Sequence, residues 1–455
     1  MNFFTNQKSK RRKPLNISQF ISLVFLGIII LGTFLLLLPF SSRNGESCGL
    51  RIAIFTATSA TCVTGLSLVD TWTQWSGFGQ AVLLGLIEIG GLGFMSAASL
   101  VIFSLKRKVN INQRMVMAQS FGSDNLFSAT RIQKSIIKYC LSVEGIGALL
   151  LAIRFFPEYG LKKSVVLGIF HSISAFCNAG FDIFGFEVPG RSLIKFGSDP
   201  AVCLILSFLI IIGGLGFLVW DEIGSNHSPK KWSVYTKLVI LTTAALLFIG
   251  TVLFCITEWN NPLTIGKMSV PGKIIAGFFQ SATTRTAGFA GINQGAMTEG
   301  GKAITIFLMF IGGSSGSTAG GLKTVTFIVL FLFLYSRIRG NKSVNIFNRT
   351  IPNKSILDAV TVSMIMVILS FFGSTVISFR SGIGFTEGLY ESVSALATVG
   401  LSTGITSSLS LPAQLLMIIY MYFGRVGILT VSIGFLKNDS SKANHKFAET
   451  NLLIG

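Results

Sequence analysis

The chain has 455 residues, of which 50% are hydrophobic and only 12% charged, and its mean hydropathy is +0.68. A soluble domain carries about 25% charged residues, and apolar segments reach the roughly 20 residues that cross a bilayer. The composition therefore excludes both a water-soluble protein and a merely surface-attached one. The formal charge of +19 would suggest nucleic acid in a soluble chain, but here it lies largely in loops flanking apolar segments. It sets topology instead, and no nucleic-acid partner is expected.

Lys8, Lys10, Arg11, Arg12 and Lys13 fill an N-terminal segment, 1–16, ahead of an apolar run over 17–40. That run is too long for a secretory leader and no small-residue cleavage site follows, so a retained first helix is predicted. Further spans are predicted over 79–103, 133–156, 201–220, 234–256, 303–311 with 321–335, 356–378 and 412–436. Between the two spans of each pair lies a shorter apolar stretch, at 52–61, 166–176, 274–283 and 386–396. Each is too short to span as a helix but suits a half-helix that enters and leaves from one side.

The predicted fold is an all-α integral membrane protein of four tandem helix–pore loop–helix repeats. Eight transmembrane helices and four re-entrant loops surround a pseudo-fourfold pore. The repeats occupy 17–104, 133–221, 234–335 and 356–436, followed by a tail over 437–455. With the N-terminus in the cytoplasm, the segments 1–16, 104–134, 221–237, 322–355 and 437–455 hold 23 of the 37 Lys and Arg residues. This bias predicts both termini inside a plasma membrane and every pore loop on the outer face.

Each half-helix runs into a short stretch that ends on glycine. The four are Thr61-Cys62-Val63-Thr64-Gly65, Phe176-Cys177-Asn178-Ala179-Gly180, Thr284-Arg285-Thr286-Ala287-Gly288 and Leu396-Ala397-Thr398-Val399-Gly400, with glycines 115, 108 and 112 residues apart. A cation crossing a bilayer must exchange its hydration shell for oxygens, and a ring of backbone carbonyls supplies them without charge. Glycine permits the backbone that aims those carbonyls inward, and the negative end of each half-helix favours a cation. The hydroxyls of Thr61, Thr64, Thr284, Thr286 and Thr398 and the amide of Asn178 lie near the same level. Ser59, Ser174 and Ser394 sit six residues before their glycines, with Ala282 in the third copy, and are read as packing positions. Arg285 would repel a cation on the path, so its side chain is expected behind the filter, with Glu391 as a candidate partner.

A second motif recurs in phase: Ile89-Gly90-Gly91-Leu92-Gly93, Ile212-Gly213-Gly214-Leu215-Gly216, Ile311-Gly312-Gly313-Ser314-Ser315-Gly316 and Phe423-Gly424-Arg425-Val426-Gly427. The third copy continues as Ser317-Thr318-Ala319-Gly320-Gly321, and this run of small residues is a poor helix. It predicts an intramembrane loop over 312–321, below the filter, that obstructs the pore as a gate. Arg425 replaces a glycine of the fourth copy. An intramembrane arginine marks a partner or a permeation path, and the carbonyls of the loop are its expected partners; Lys323 is placed near the same exit. Glu88 and Glu144 are assigned to packing or a buried pair. The six cysteines contain no CxxC pair, and with three histidines no transition-metal, haem or covalent cofactor constellation is visible.

The filter stretches, the glycine–serine loop and Arg425 resemble the Trk/Ktr/HKT potassium transporters over about residues 17–436, and within them the bacterial Ktr membrane subunit. The resemblance implies a gated potassium filter with one pore per protomer, in a homodimer within the lipid of a bacterial cell membrane. It implies a cytosolic ring of RCK-type regulatory subunits that carries ATP or ADP on that partner. It further implies uptake of K+ that depends on Na+. Gly65, Gly180, Gly288 and Gly400 match the family's filter glycines, and 312–321 with Arg425 matches its gate. Two other functions stay open: a sodium-selective or weakly selective member of the superfamily, and an alternating-access carrier built from broken helices. A membrane enzyme is not expected, because no nucleophile, metal set or phosphate-binding motif is present.

Overall fold

In a computed structural model, the described residues are 17–93, 129–190 and 192–427. The predicted N-terminal segment 1–16, the far ends of the spans 79–103 and 412–436, Arg191, most of the basic loop 104–134 and the tail 437–455 lie outside them.

The molecule is almost wholly helical. Helix α1 (Ile17–Leu37) is followed by the short α2 (Leu50–Thr61) and α3 (Gly77–Leu92). A long α4 (Ala129–Phe176) contains Gly160 at φ 69°, which divides it into a spanning part and a second, re-entrant part. Then come α5 (Pro200–Leu215), α6 (Phe217–Ser225), α7 (Val234–Glu258), α8 (Val270–Thr283), α9 (Glu299–Phe310), α10 (Thr324–Ile338), α11 (Asn353–Ser381), α12 (Phe385–Leu396) and α13 (Leu411–Val426). Among the described residues, four helices are long and apolar enough to cross a bilayer, or five if the bent pair α5–α6 is one span. α3, α10 and α13 are apolar but shorter.

The outer surface is apolar, the reverse of a soluble protein. Phe34, Phe248, Ile256 and Phe379 are each more than half exposed, which places them against lipid chains. The interior combines large apolar side chains, Trp75, Phe155 and Tyr390 among them, with many buried hydroxyls, and close backbone approach adds to the packing. Three of the helices that leave the central region begin on a side-chain cap: Ser76, Asp199 and Thr298 accept from the N–H groups of Gly79, Val202 and Gly301. These bonds satisfy donors that a helix start would otherwise leave unpaired.

One expectation is corrected. The span 201–220 is not one straight helix: Gly216, at φ 93°, separates α5 from α6 and turns the chain by 92°. The helical fold carries one short antiparallel hairpin, β1 (Asn345–Ile346) with β2 (Arg349–Thr350), in the basic segment 322–355. Phe347 and Asn348 both take left-handed φ, 46° and 60°, the backbone a two-residue hairpin turn demands.

Candidate ion filter and intramembrane loop

The four stretches that end on glycine converge on one axis. In each, two residues are left-handed, the glycine and the residue two before it. Val63, Asn178, Thr286 and Thr398 have φ of 56°, 58°, 67° and 52°, and Gly65, Gly180, Gly288 and Gly400 have 95°, 68°, 81° and 93°. A non-glycine residue pays about 1–2 kcal/mol for this conformation, so the surroundings enforce it four times over.

The strands touch in a closed cycle. A Cβ placed on Gly65 would lie 3.2 Å from the Cα of Gly180; one on Gly180, 2.9 Å from that of Gly288; one on Gly288, 3.1 Å from that of Gly400; and one on Gly400, 3.0 Å from that of Gly65. In every case the added carbon would also press on the carbonyl oxygen before the neighbouring glycine: Ala179, Ala287, Val399 and Thr64 in turn. Both φ and the neighbour's backbone therefore demand glycine here.

Short bonds tie the strands to their half-helices. Ser59 Oγ accepts from the N–H of Gly65 at 3.1 Å, and Ser394 Oγ accepts from that of Gly400 at 3.0 Å. The Ser174 hydroxyl donates to the carbonyl of Phe181 at 2.7 Å. The third copy has Ala282 at this place, and Thr283, one residue on, donates to Phe289 O at 2.9 Å instead. The hydroxyls of Thr61, Thr64, Thr286 and Thr398 and both polar atoms of the Asn178 amide are buried without a hydrogen-bond partner among the described residues. Thr284 differs from its expected role, because its hydroxyl is spent on Ser281 O at 2.8 Å.

On one side the four glycines open into a cavity of about 300 Å³ that Asp70 and Asp182 also line. Asp70 caps Thr73 N and accepts from Gly190 N at 3.0 Å, joining the loops beyond the first two strands. Asp182 lies outside the spanning helices and has a carboxyl pushed up to about 6. Burial is the main cause and the Asp70 carboxylate adds to it, against bonds from Ser192 and from the N–H of Phe184.

On the other side lies the loop 312–321. Its two ends are clasped: Gly312 N–H donates to Leu322 O at 2.9 Å, and Thr324 N–H to Gly313 O at 3.0 Å. The tip is fastened to neighbouring elements. Ser314 N–H donates to Gly214 O at 3.0 Å, Thr318 Oγ1 to Phe176 O at 3.1 Å and the Tyr235 hydroxyl to Ser315 O at 2.9 Å. Phe217 N–H donates to Gly316 O at 2.9 Å, and Ser317 bridges Ser314 O and Ala319 N. Gly320 lies against Thr398 and Gly321 against Ala397, so the loop sits directly beneath the filter strands.

Arg425 reaches this loop. Its guanidinium donates to the carbonyl of Thr318 and to those of Gly90 and Gly91, the last at 2.9 Å. The latter two are end carbonyls of α3, which attract a cation. Lys323 Nζ donates to Ala319 O at 2.8 Å.

Arg285 is buried, but the expected pairing with Glu391 is absent. Glu391 instead accepts from Ser402 at 2.5 Å and Thr406 at 3.0 Å, two hydroxyls on the loop that follows its own half-helix and closer in the chain. Arg285 meets Thr324 Oγ1 at 3.4 Å. Glu88, half-buried, and Glu144, buried, bond to each other, and the Cys177 thiol lies 3.6 Å and 3.9 Å from them.

Two features escaped sequence reasoning. One is the left-handed residue two before each glycine, legible only as a position in register. The other is the last glycine of the second motif: Gly93, Gly216, Gly316 and Gly427 all have φ between 70° and 94°. They end or bend their segments. The first glycines do pack: a Cβ on Gly90, Gly213 or Gly424 would strike the carbonyl of Thr61, Phe176 or Leu396, the last turn of a half-helix.

The family model described as TrkH, cation transport protein, matches residues 24–446. The potassium/sodium uptake protein NtpJ of Enterococcus hirae is 40% identical, over 99% of this chain and 100% of that protein. The Ktr system potassium uptake protein B of Bacillus subtilis is 38% identical over 95% of each. The crystal structure of the potassium transporter TrkH from Vibrio parahaemolyticus superposes with a TM-score of 0.71 at 17% identity, covering 94% of this chain and 86% of that one. Its likeness speaks to the fold. The chain is a multi-pass membrane protein, and it belongs to the TrkH family of cation transport proteins.

Proposed function

We propose that the chain takes up potassium through a gated pore. The four glycine stretches act as its filter, and residues 312–321 with Arg425 act as its gate. The observation that carries this reading is the closed cycle of contacts from Gly65 through Gly180, Gly288 and Gly400 back to Gly65. Four strands held this closely around one axis favour carbonyl coordination of a dehydrated cation. The unpartnered polar atoms of Thr61, Thr64, Asn178, Thr286 and Thr398 offer further oxygens along the same path. The names of the Bacillus and Enterococcus relatives supply the ion.

The finer parts of the reading are four repeats, 17–104, 133–221, 234–335 and 356–436, with both termini in the cytoplasm. The working unit is a homodimer bound to a cytosolic RCK-type ring, which holds ATP or ADP. Sodium stimulates uptake. A second reading, passage of sodium itself, has one support, the printed name of the Enterococcus relative. Reconstitution of the purified chain, with potassium and sodium fluxes measured separately, tests both. Potassium flux well above sodium flux is expected. Equal fluxes would favour the second reading, and no flux of either ion would reject the pore.

A further inference from the structure

We propose that Arg285 is a positioning residue that couples the third filter strand to the root of the intramembrane loop through the hydroxyl of Thr324. The inference rests on the reading of 312–321 as a gate.

Arg285 is 6% exposed, and its Nε finds no partner among the described residues. No carboxylate forms an ion pair with it there; its Nη2 lies 3.4 Å from Thr324 Oγ1. A buried cation without a counter-charge is costly, so its environment is not one that stability alone would choose.

Thr324 is fully buried and turns the contact toward the loop. Its hydroxyl donates to Gly312 O at 3.1 Å while its N–H donates to Gly313 O at 3.0 Å. The hydroxyl thus accepts from the guanidinium and donates to the first residue of the loop. Beside it, Thr286 follows Arg285 in the filter with φ 67°, and its methyl faces Gly312, where a Cβ would lie 3.2 Å away. Filter strand and loop root therefore share two adjoining contacts. A shift of either moves the guanidinium charge and changes the other, and such coupling acts in both directions.

The test uses the full chain in proteoliposomes. Thr324→Val keeps the shape and removes the hydroxyl. It is expected to raise potassium flux about tenfold and also to lower the potassium-to-sodium ratio, a property of the filter. Thr324→Ser should restore both. In the other direction, Arg285→Lys in a Ser315→Cys background should increase labelling of that exposed loop position by a water-soluble thiol reagent. A changed flux with an unchanged ion ratio in Thr324→Val overturns the proposal, as does labelling that stays at its parental level in Arg285→Lys. Should the unaltered chain pass no potassium, the pore reading fails by itself, and the labelling arm still decides whether filter and loop are coupled.

Discussion

Arg425 donates to the carbonyl of Thr318 in the loop and to Gly90 and Gly91 at the end of α3, so one side chain ties the loop 312–321 to the end of a helix distant in sequence. Bonds to a charged donor are worth about 1.5–3 kcal/mol each. Arg425→Ala is therefore expected to raise resting potassium flux about tenfold or more. Arg425→Lys, a point charge without the planar fork, should recover only part of the restraint. Rubidium uptake into proteoliposomes measures both, and resting flux at the parental level in Arg425→Ala would argue against a restraining role.

Gly65→Ser introduces a side chain at φ 95°, with its Cβ 2.5 Å from Ala179 O. The first strand has to move away from the second. Discrimination between potassium and sodium should fall about tenfold, equivalent to roughly 1.4 kcal/mol between the two ions. Bi-ionic potentials across a planar bilayer report the ratio directly.

Ser59→Ala and Ser394→Ala each delete a bond to the N–H of a filter glycine. Each should cost about 1 kcal/mol, seen as a modest fall in thermal midpoint, together with a lower ion ratio. A stability loss with no selectivity change would assign these serines to packing alone.

Asp182 gives the open mouth a pH response. Its carboxyl is raised to about 6, chiefly by burial, above the ordinary value of about 3.9. Below pH about 6 it is neutral and the mouth attracts cations less, so uptake from that side should fall between pH 7.5 and 5. Asp182→Asn should be slower at pH 7.5 and flatten that profile. Because the native carboxyl is raised, ionising it disfavours the fold. That cost is absent below about 3.9, grows as pH rises and is complete above about 6. Asp182→Asn should therefore be no less stable than the parent at pH 7.5, as thermal unfolding at the two pH values would register.

Much of this arrangement is legible before any coordinates. The glycines at 65, 180, 288 and 400 stand out because their spacing is regular and each follows an apolar stretch too short to span. The loop 312–321 is legible because its composition opposes a helix. Val63, Asn178, Thr286 and Thr398 are not, since a left-handed valine or threonine runs against local preference and is imposed by the packed ring. The bend at Gly216 escapes because hydropathy measures apolarity and is blind to φ. The pairing of Arg285 with Glu391 fails because opposite charge carries no direction: Glu391 is satisfied by Ser402 and Thr406, much nearer along the chain.

The cycle through the four glycines is made by one polypeptide, and that has a consequence for how such a pore changes over time. In a ring of identical subunits, a single codon alters every position around the axis at once. Here the four positions before the glycines, Ala179, Ala287, Val399 and Thr64, are separately encoded and hold three kinds of residue, so each quadrant mutates alone. If these strands select the ion as proposed, the preference is adjustable in quarter steps, with three unaltered strands holding the altered one in place.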